Sequence, residues 1–242
     1  MVVTEVPRVI GHRGAAGHAP ENTLVSIQKA FDLGARWVEV DVKLSSDGVP
    51  ILMHDDRLER TTNGSGLAAE ASLAELERLD AGRWFGAEFA GAHIPTLAEL
   101  VGLLAELGMG LNLELKPSPR QEDETGRVVA EVFSDLWGPG LPAPVISSFT
   151  PASLSAFADV APEFERAMLF GRLPSDWHAQ VQTVGAQAVH CGVKYIKRHD
   201  VADINAVGLP VRCYTVNDGE TAGRLFHWGV EAVFSDYPEC VP

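Results

Sequence analysis

Carboxylates on two apolar segments are the residues that first suggest chemistry. Glu39 and Asp41 alternate with valines in WVEVDVKL at 37–44, so on a strand both side chains leave the same face. Glu114 lies in a second such segment, LNLELK at 111–116. Burying ionised groups without a partner is very costly, so these oxygens need cations. Salt bridges to Arg or Lys would serve, but the three together favour one divalent ion, and oxygen-only ligands suit Mg²⁺ or Ca²⁺ better than zinc.

Two histidines are expected near these carboxylates. His12 ends the first apolar segment, and His54 lies in PILMHD at 50–55. A hairpin that turns at 45–48 would place His54 opposite Glu39, where cross-strand Cβ atoms lie roughly 5 Å apart. Two imidazoles can share the work of general acid and general base near neutral pH, because their ordinary pKa is about 6.5. This pattern predicts proton transfer beside the carboxylates.

Basic residues lie next to the same segments. Arg13 follows His12, and Lys116 lies two residues after Glu114. Guanidinium and ammonium groups suit a phosphate. His190 ends a later apolar segment and is a further candidate to line the site. These basic residues therefore indicate that the site can hold a phosphate.

Nine short apolar segments alternate with stretches of helical periodicity, which is typical of a parallel sheet covered by helices. They lie at 8–14, 37–44, 50–55, 111–116, 144–149, 166–170, 188–192, 211–216 and 231–236. Only five residues join 37–44 to 50–55, whereas a parallel crossover needs about a dozen. These two segments therefore form an antiparallel hairpin. The eight strands that remain fit a TIM (β/α)₈ barrel, in which the carboxyl ends of the strands converge on one mouth.

The chain is expected to form a single catalytic TIM-barrel domain over 1–242. Residues from about 55–95 carry Gly, Thr, Asn and Trp without a clear parallel strand, and they predict a small inserted subdomain at one rim. Helices are expected at 22–33, 96–107 and 218–228. Asn22 and Thr23 are expected to cap the first of them rather than bind a ligand.

The composition limits the possible partners. The formal net charge is −14, and so acidic a surface repels nucleic-acid backbones and anionic lipids. No apolar run approaches the roughly 20 residues that span a bilayer, and no signal peptide is visible at the start. Three separated cysteines indicate free thiols in a reducing compartment. We expect a cytoplasmic protein with a small-molecule substrate, no nucleic-acid partner and no membrane anchor; the oligomeric state is not predicted.

Six stretches spread over nearly the whole chain form a specific set of motifs. They are GHRGAAGHAPENT at 11–23, EVDVKLSSDGVPILMHDDRLERTTNGSG at 39–66, LNLELKP at 111–117, SSF at 147–149, YTVND at 214–218 and FSDYP at 234–238. The set resembles the glycerophosphodiester phosphodiesterase family, and most closely its short single-domain cytoplasmic bacterial members. The resemblance implies a TIM barrel with an inserted subdomain, and hydrolysis of glycerophosphodiesters to an alcohol and sn-glycerol 3-phosphate.

The resemblance also implies roles for individual residues. The implied ligands of the divalent metal are Glu39, Asp41 and Glu114, and the implied acid–base pair is His12 and His54. The implied substrate contacts are Arg13 and Lys116 for the phosphate and the aromatic residues Phe149 and Tyr214, with Glu21 orienting the first loop. Many relatives have Trp where Tyr214 stands, and some have Asn near Gly192, so the alcohol side of the pocket is expected to differ in shape.

Other functions stay open on these patterns. A related metal-dependent barrel phosphodiesterase acting on lysophospholipids is disfavoured by the acidic charge and by the lack of an amphipathic anchor. A barrel that binds a ligand without catalysing a reaction is disfavoured, because the sequence contains candidate residues for an acid, a base and a cation. A glycosidase is disfavoured because two carboxylates on one strand suit a shared cation better than opposite faces of a sugar. The patterns leave two points open: whether water or the glycerol 2-hydroxyl is the nucleophile, and which histidine is the acid.

Overall fold

The computed structural model describes residues 6–241, in which nine strands and eight α-helices alternate. The strands are β1 (Val9–His12), β2 (Trp37–Leu44), β3 (Pro50–Leu52), β4 (Gly110–Leu115), β5 (Val145–Ser148), β6 (Glu165–Phe170), β7 (Ala188–Gly192), β8 (Val211–Tyr214) and β9 (Ala232–Ser235). The helices are α1 (Leu24–Asp32), α2 (Leu73–Leu76), α3 (Leu97–Leu107), α4 (Glu122–Leu136), α5 (Pro151–Val160), α6 (Trp177–Thr183), α7 (Arg198–Ala206) and α8 (Gly219–Trp228). Part of the N-terminal stretch on which we expected no signal peptide, residues 1–5, lies outside this range.

Eight of the strands close into a parallel barrel, which confirms the predicted TIM fold. Each pairs in parallel with its neighbours in the order β1-β9-β8-β7-β6-β5-β4-β2, and β2 pairs with β1 to close the ring. The outward side chains of the strands pack against the helices in one large apolar cluster that includes Val38, Val40 and Val42. The alternation therefore sends Glu39 and Asp41 inward, as predicted.

The strand β3 pairs antiparallel with β2, but the predicted register is wrong by one residue. Leu44 lies opposite Pro50, and Ser45 donates its N–H to the Val49 carbonyl at 3.0 Å. The turn therefore spans three residues and ends in Gly48, whose φ of 78° favours glycine. His54 consequently lies beyond the end of the short strand β3, and it is not the cross-strand partner of Glu39.

Sequence signals at the ends of three helices agree with the structure. Thr23 caps α1 by accepting a hydrogen bond from the Ser26 N–H. Thr96 and Glu99 form the expected capping box at the start of α3. Asp218 caps α8, which ends before a glycine in the left-handed conformation. Such caps fix where each helix begins after a barrel strand or loop.

A compact segment at one rim joins β3 to α3. It contains α2 and two 3₁₀ helices, Ala68–Glu70 and Ala87–Phe89. Its apolar side chains and Ile51 of β3 form a cluster separate from the barrel core, made of Ile51, Met53, Leu58, Ala68, Leu76, Ala81 and Ile94. Over residues 6–241, no helix combines the length and the apolar character needed to cross a membrane.

Candidate active site

Three carboxylates from two neighbouring strands meet inside the barrel. Asp41 on β2 lies directly beside Glu114 on β4, and Glu39 lies one pleat earlier on β2. One oxygen from each of the three lies within 4.8 Å of the others, and all three residues are buried. This is the only such group of possible metal ligands found among residues 6–241. The expected convergence of the three carboxylates is confirmed.

The electrostatics of this cluster are those of carboxylates that need a cation. Burial, together with the charge of Asp41, raises the pKa of Glu39 well above its usual range and that of Glu114 to about 7. Burial also opposes ionisation of Asp41, but Arg13 and Lys116 outweigh it and lower its pKa to about 2. Within residues 6–241, Glu39 Oε1 is buried without a hydrogen-bond partner. An unpartnered buried oxygen beside two more carboxylates fits a divalent ion.

His12 lies at the carboxyl end of β1, on the rim of the carboxylate cluster. Its Nδ1 lies 2.7 Å from Asp236 Oδ1, just after β9, and its Nε2 lies 4.0 Å from Glu39 Oε2. Asp236 is itself fixed by Asn217, whose Nδ2 donates to Oδ2 at 2.8 Å. A carboxylate at Nδ1 holds the proton there and leaves Nε2 free to exchange a proton with a ligand.

His54 is held in the same manner by a different loop. Its Nδ1 lies 2.7 Å from Asp55 Oδ1. Arg60 contacts both oxygens of Asp55 and lowers the pKa of that carboxyl, so the partner of His54 stays charged. Burial, followed by the charge of Arg13, lowers the pKa of His54, although Asp41 opposes this shift. His54 is therefore a neutral imidazole at pH 7.

Two basic side chains neutralise the carboxylates from the mouth of the barrel. Arg13 Nε lies 3.2 Å from Asp41 Oδ2, and Lys116 Nζ lies 2.7 Å from Glu114 Oε1. The Arg13 backbone, at a φ of 51°, donates its N–H to Glu39 Oε2 at 3.0 Å. The salt bridges to Arg and Lys that the sequence left open as an alternative to a metal are thus present for two of the carboxylates.

Glu21 and Asn22 support this arrangement from the loop after β1. Glu21 binds the Arg13 guanidinium at 2.6 Å and also pairs with Arg60. Asn22 was expected to cap α1, and this is wrong. Its Nδ2 donates to Asp41 Oδ2 at 2.9 Å, and its Oδ1 accepts the Asp41 N–H. Two hydrogen bonds to one residue fix the position of the Asp41 carboxylate.

These side chains surround a pocket of about 150 Å³ that opens at the barrel mouth. Its lining residues are His12, Arg13, Glu39, His54, Asn112, Glu114, Lys116, Phe149, Leu169, His190, Tyr214, Thr215 and Phe234. The aromatic rings of Phe149 and Tyr214 meet edge to face at 5.9 Å, and Lys116 Nζ lies 5.2 Å above the Phe149 ring. Every predicted site residue lines this pocket except Asp41, which is hydrogen-bonded to Asn22 and ion-paired with Arg13.

Sequence reasoning missed Asp236, Asp55 and Arg60 as parts of the site. Asp236 is 224 residues from His12, and only closure of the barrel through β1 and β9 brings them together. A signal was present, because Asp236 follows the last strand just as His12 ends the first. For Arg60, a surface segment without regular structure gave no comparable signal.

Comparison with known proteins places this geometry in a family. The sequence model that describes the glycerophosphoryl diester phosphodiesterase family matches residues 12–240 of this chain. YhdW of Bacillus subtilis is 35% identical, with 96% of each chain covered. A glycerophosphodiester phosphodiesterase of Caldanaerobacter subterraneus is 32% identical over 96% of this chain and 94% of its own length.

A solved structure agrees over nearly the whole chain. A phosphodiesterase of Oleispira antarctica, determined in complex with the product sn-glycerol-3-phosphate, superposes with a TM-score of 0.94 at 43% identity. The match covers 97% of this chain and 94% of the other. With its barrel, its motifs and its sequence in agreement, the chain belongs to the glycerophosphoryl diester phosphodiesterase family.

Proposed function

We propose that this protein hydrolyses glycerophosphodiesters to an alcohol and sn-glycerol 3-phosphate. One observation carries the proposal: two imidazoles, each with Nδ1 held 2.7 Å from a carboxylate, line one pocket beside a cluster of three buried carboxylates. That combination supplies an acid, a base and a place for positive charge. The Oleispira relative, solved with the product sn-glycerol-3-phosphate, supports the substrate class.

The metal in this proposal is a single Mg²⁺ or Ca²⁺ ion held by Glu39, Asp41 and Glu114. Three carboxylates without nitrogen or sulfur ligands favour these hard cations. The unpartnered oxygen of Glu39 and the raised pKa values of Glu39 and Glu114 support a bound ion. When bound, the ion supplies positive charge that stabilises the negative charge developing on the phosphoryl group.

His12 and His54 move the protons in this proposal. One imidazole removes a proton from the nucleophile, either water or the glycerol 2-hydroxyl, and the other donates a proton to the oxygen of the leaving alcohol. Asp236 and Asp55 keep a proton on the two Nδ1 atoms, so both rings act through Nε2. The imidazolium formed during the reaction is stabilised by the same carboxylates.

Arg13 and Lys116 hold the phosphate in this proposal. Both are partly exposed at the mouth and lie next to the carboxylates, so their charges reach the pocket as well. Phe149 is 42% exposed, the more open of the two aromatic rings, and it flanks the outlet that the leaving alcohol takes. The proposed order from the floor outward is therefore glycerol, phosphate and alcohol.

We also propose that the barrel and its rim segment act as one catalytic unit in the cytoplasm. Free Cys191 and Cys213 are buried side by side on β7 and β8, and burial raises the pKa of Cys191 to about 12. Unreactive, unpaired thiols suit a reducing compartment. Fractionation of the cells that make the protein checks the location; a pool outside the cytoplasm would contradict it.

The function is tested with purified protein, glycerophosphocholine and Mg²⁺ or Ca²⁺, with sn-glycerol 3-phosphate measured by a coupled dehydrogenase. We expect release of that product, and none with excess chelator. His12→Ala and His54→Ala should each lower kcat about 10²–10⁴-fold, because proton transfer is lost. His199→Ala is the matched control, since that exposed imidazole also lies beside a carboxylate, Asp200, at 3.4 Å.

Further measurements distinguish the proposed function from its alternatives. Lysophosphatidylcholine hydrolysed faster than glycerophosphocholine would indicate a lysophospholipid enzyme, and no product after prolonged incubation would indicate a binding protein. Mg²⁺ at 100 times its Kd should stabilise the protein by about 2.7 kcal/mol, seen as a rise in Tm. Glu114→Gln should abolish that rise. Full activity in saturating chelator would refute the metal site.

A further inference from the structure

His190 is a buried pocket residue to which the proposed chemistry gives no role. It lies on β7, its side chain is fully buried, and it lines the same pocket as the carboxylates. Its Nε2 lies 3.4 Å from Nη1 of Arg212, in the neighbouring strand β8. A guanidinium can only donate, so Nε2 accepts this bond and the ring proton lies on Nδ1. Nδ1 is buried without a partner among residues 6–241.

Arg212 is held from the opposite end of the barrel. Its guanidinium is almost fully buried and contacts Glu231 at 2.7 Å and Glu165 at 2.9 Å. Glu165 begins β6 and Glu231 directly precedes β9, so both lie at the amino ends of strands, away from the mouth. Arg212 thus spans the bottom of the barrel and fixes the His190 ring from below.

The charge state of the His190 ring follows from this arrangement. Burial, and then the positive charge of Arg212, lower the pKa of His190 well below its ordinary value. The ring is therefore neutral at pH 7, with no charge and one N–H donor that is unpartnered across the described residues.

A second polar atom in the same pocket also lacks a partner. Asn112 on β4 donates from Nδ2 to Ser147 Oγ at 2.8 Å, and its Oδ1 is buried with no partner in the described part of the chain. The Tyr214 hydroxyl is likewise buried without a partner among the described residues. Burying such atoms without a hydrogen bond costs free energy, so a ligand that hydrogen-bonds to them binds more favourably. A neutral donor with neutral acceptors matches hydroxyl groups rather than an anion or a cation.

We propose that His190 and Asn112 form a specificity floor that hydrogen-bonds the hydroxyl groups of the glycerol half of the substrate, and that Arg212 is the positioning residue that fixes the His190 donor. This inference rests on the proposed function for the identity of the ligand. The phosphate remains with Arg13 and Lys116 at the mouth. The glycerol half is the part common to all glycerophosphodiesters, so its recognition selects the substrate class independently of the alcohol.

Equilibrium binding tests the floor without requiring turnover. Affinities for sn-glycerol 3-phosphate and propyl phosphate, which lacks both hydroxyls, are measured by calorimetry in Mg²⁺. We expect the native protein to prefer sn-glycerol 3-phosphate about tenfold or more, because a site built to hydrogen-bond a hydroxyl rejects the analogue without it. In His190→Phe the preference should fall to about twofold to threefold while propyl phosphate binds as before. His227→Gln, an exposed change on α8, should keep the native preference.

Two further variants distinguish a loss of specificity from a loss of folding. A misfolded His190→Phe loses both ligands, in which case His190→Gln and Asn112→Leu provide the comparison. His190→Gln retains an amide donor and should restore part of the preference, whereas Asn112→Leu should reduce it. No preference in the native protein, or an unchanged preference in the folded variants, overturns the proposal.

The tautomer of the His190 ring tests the role of Arg212. In ¹⁵N NMR spectra, with His190→Gln used to assign the signal, native His190 should carry its proton on Nδ1. Arg212→Gln should populate the other tautomer and raise KM more than it lowers kcat, and Arg212→Lys should recover part of the effect. A native proton on Nε2 refutes the arrangement.

The two proposals fail differently. Selective binding of sn-glycerol 3-phosphate without any hydrolysis would refute the catalytic proposal and leave the floor intact. Hydrolysis, together with a binding preference that does not depend on His190, would refute the specificity floor and leave the catalytic proposal intact.

Discussion

His12 and His54 come from different loops, yet each ring is fixed by a carboxylate at Nδ1. The two partners differ in what holds them in turn: Asp236 is bonded by the neutral side chain of Asn217, whereas Asp55 is paired with the cation Arg60. A carboxylate already paired with a cation attracts a ring proton less strongly than one bonded by an amide. The same residue type is thus placed in two electrostatic settings, as the proposed pair of one proton donor and one proton acceptor requires.

Removing the charge of Asp236 should disturb His12 while leaving the fold intact. Asp236→Asn presents an amide that can donate to Nδ1 and so favours the wrong tautomer of the ring. We expect kcat to fall roughly 10²–10⁴-fold, with a smaller change in KM, in steady-state assays with glycerophosphocholine. Glu239→Gln is the control, because Glu239 pairs with His18 at 2.6 Å outside the pocket. An unchanged kcat in Asp236→Asn would remove the pair from the mechanism.

His190 should contribute a pH dependence to stability. Its folded pKa lies well below the unfolded value of about 6.5, so the unfolded chain binds the proton more readily between those two values. Stability from the neutral ring is therefore complete above about pH 6.5 and is lost as pH falls, by at most about 1.4 kcal/mol per pH unit.

Urea unfolding between pH 5 and 7.5 measures this effect. The free energy of unfolding of the native protein should fall more steeply on acidification than that of His190→Gln. Parallel curves for the two proteins would show that folding does not lower the pKa of the His190 ring.

At the scale of elements, two glycines on regular structure should respond in opposite directions to alanine. At Gly110 on β4, a Cβ would lie 2.2 Å from the Trp37 ring, so Gly110→Ala should destabilise the barrel floor by about 1–3 kcal/mol. At Gly102, inside α3, a Cβ meets nothing within 4 Å, so Gly102→Ala should stabilise by about 0.5–1 kcal/mol. Thermal and urea unfolding of the two variants check both signs. Equal effects would mean that Trp37 moves aside freely.

Elements were predictable where their signals are local. Alternating valines, capping boxes and glycine stops depend on neighbours in sequence, and the strands and the helix ends at Thr96 and Asp218 follow from them. The hairpin register failed because it depends on one turn, where a three-residue loop competes with a four-residue loop at little difference in energy. The predicted site residues converge because the carboxyl ends of all the parallel strands meet at one mouth of the barrel. Their hydrogen-bond partners could not be predicted in this way, because they come from loops whose course is set by packing of the whole barrel.

At the scale of the whole molecule, one side chain of the rim segment contacts two groups that hold the catalytic mouth in place. Arg60 binds Asp55, which holds His54, and it also binds Glu21, which holds Arg13. The apolar side chains of the rim segment form a cluster apart from the barrel core, so the segment can pack as a unit. Through Arg60, the position of the segment affects side chains on both sides of the pocket. A basic residue outside the pocket thus sets the orientation of an imidazole and of a guanidinium within it.

Loss of Arg60 should therefore cost more activity than stability. Its side chain is 44% exposed, and pairs so exposed contribute at most about 1 kcal/mol, so Arg60→Gln should leave the free energy of unfolding within that margin. The kcat should fall about tenfold to a hundredfold, because His54 loses the charged setting of its partner and Arg13 loses a rigid neighbour. Arg57→Gln is the matched control, since Arg57 lies on the same segment and pairs with Glu59 at the surface instead of with Asp55 and Glu21. Comparing kcat and urea unfolding for the two variants decides the point: equal activities would show that the rim segment positions neither group.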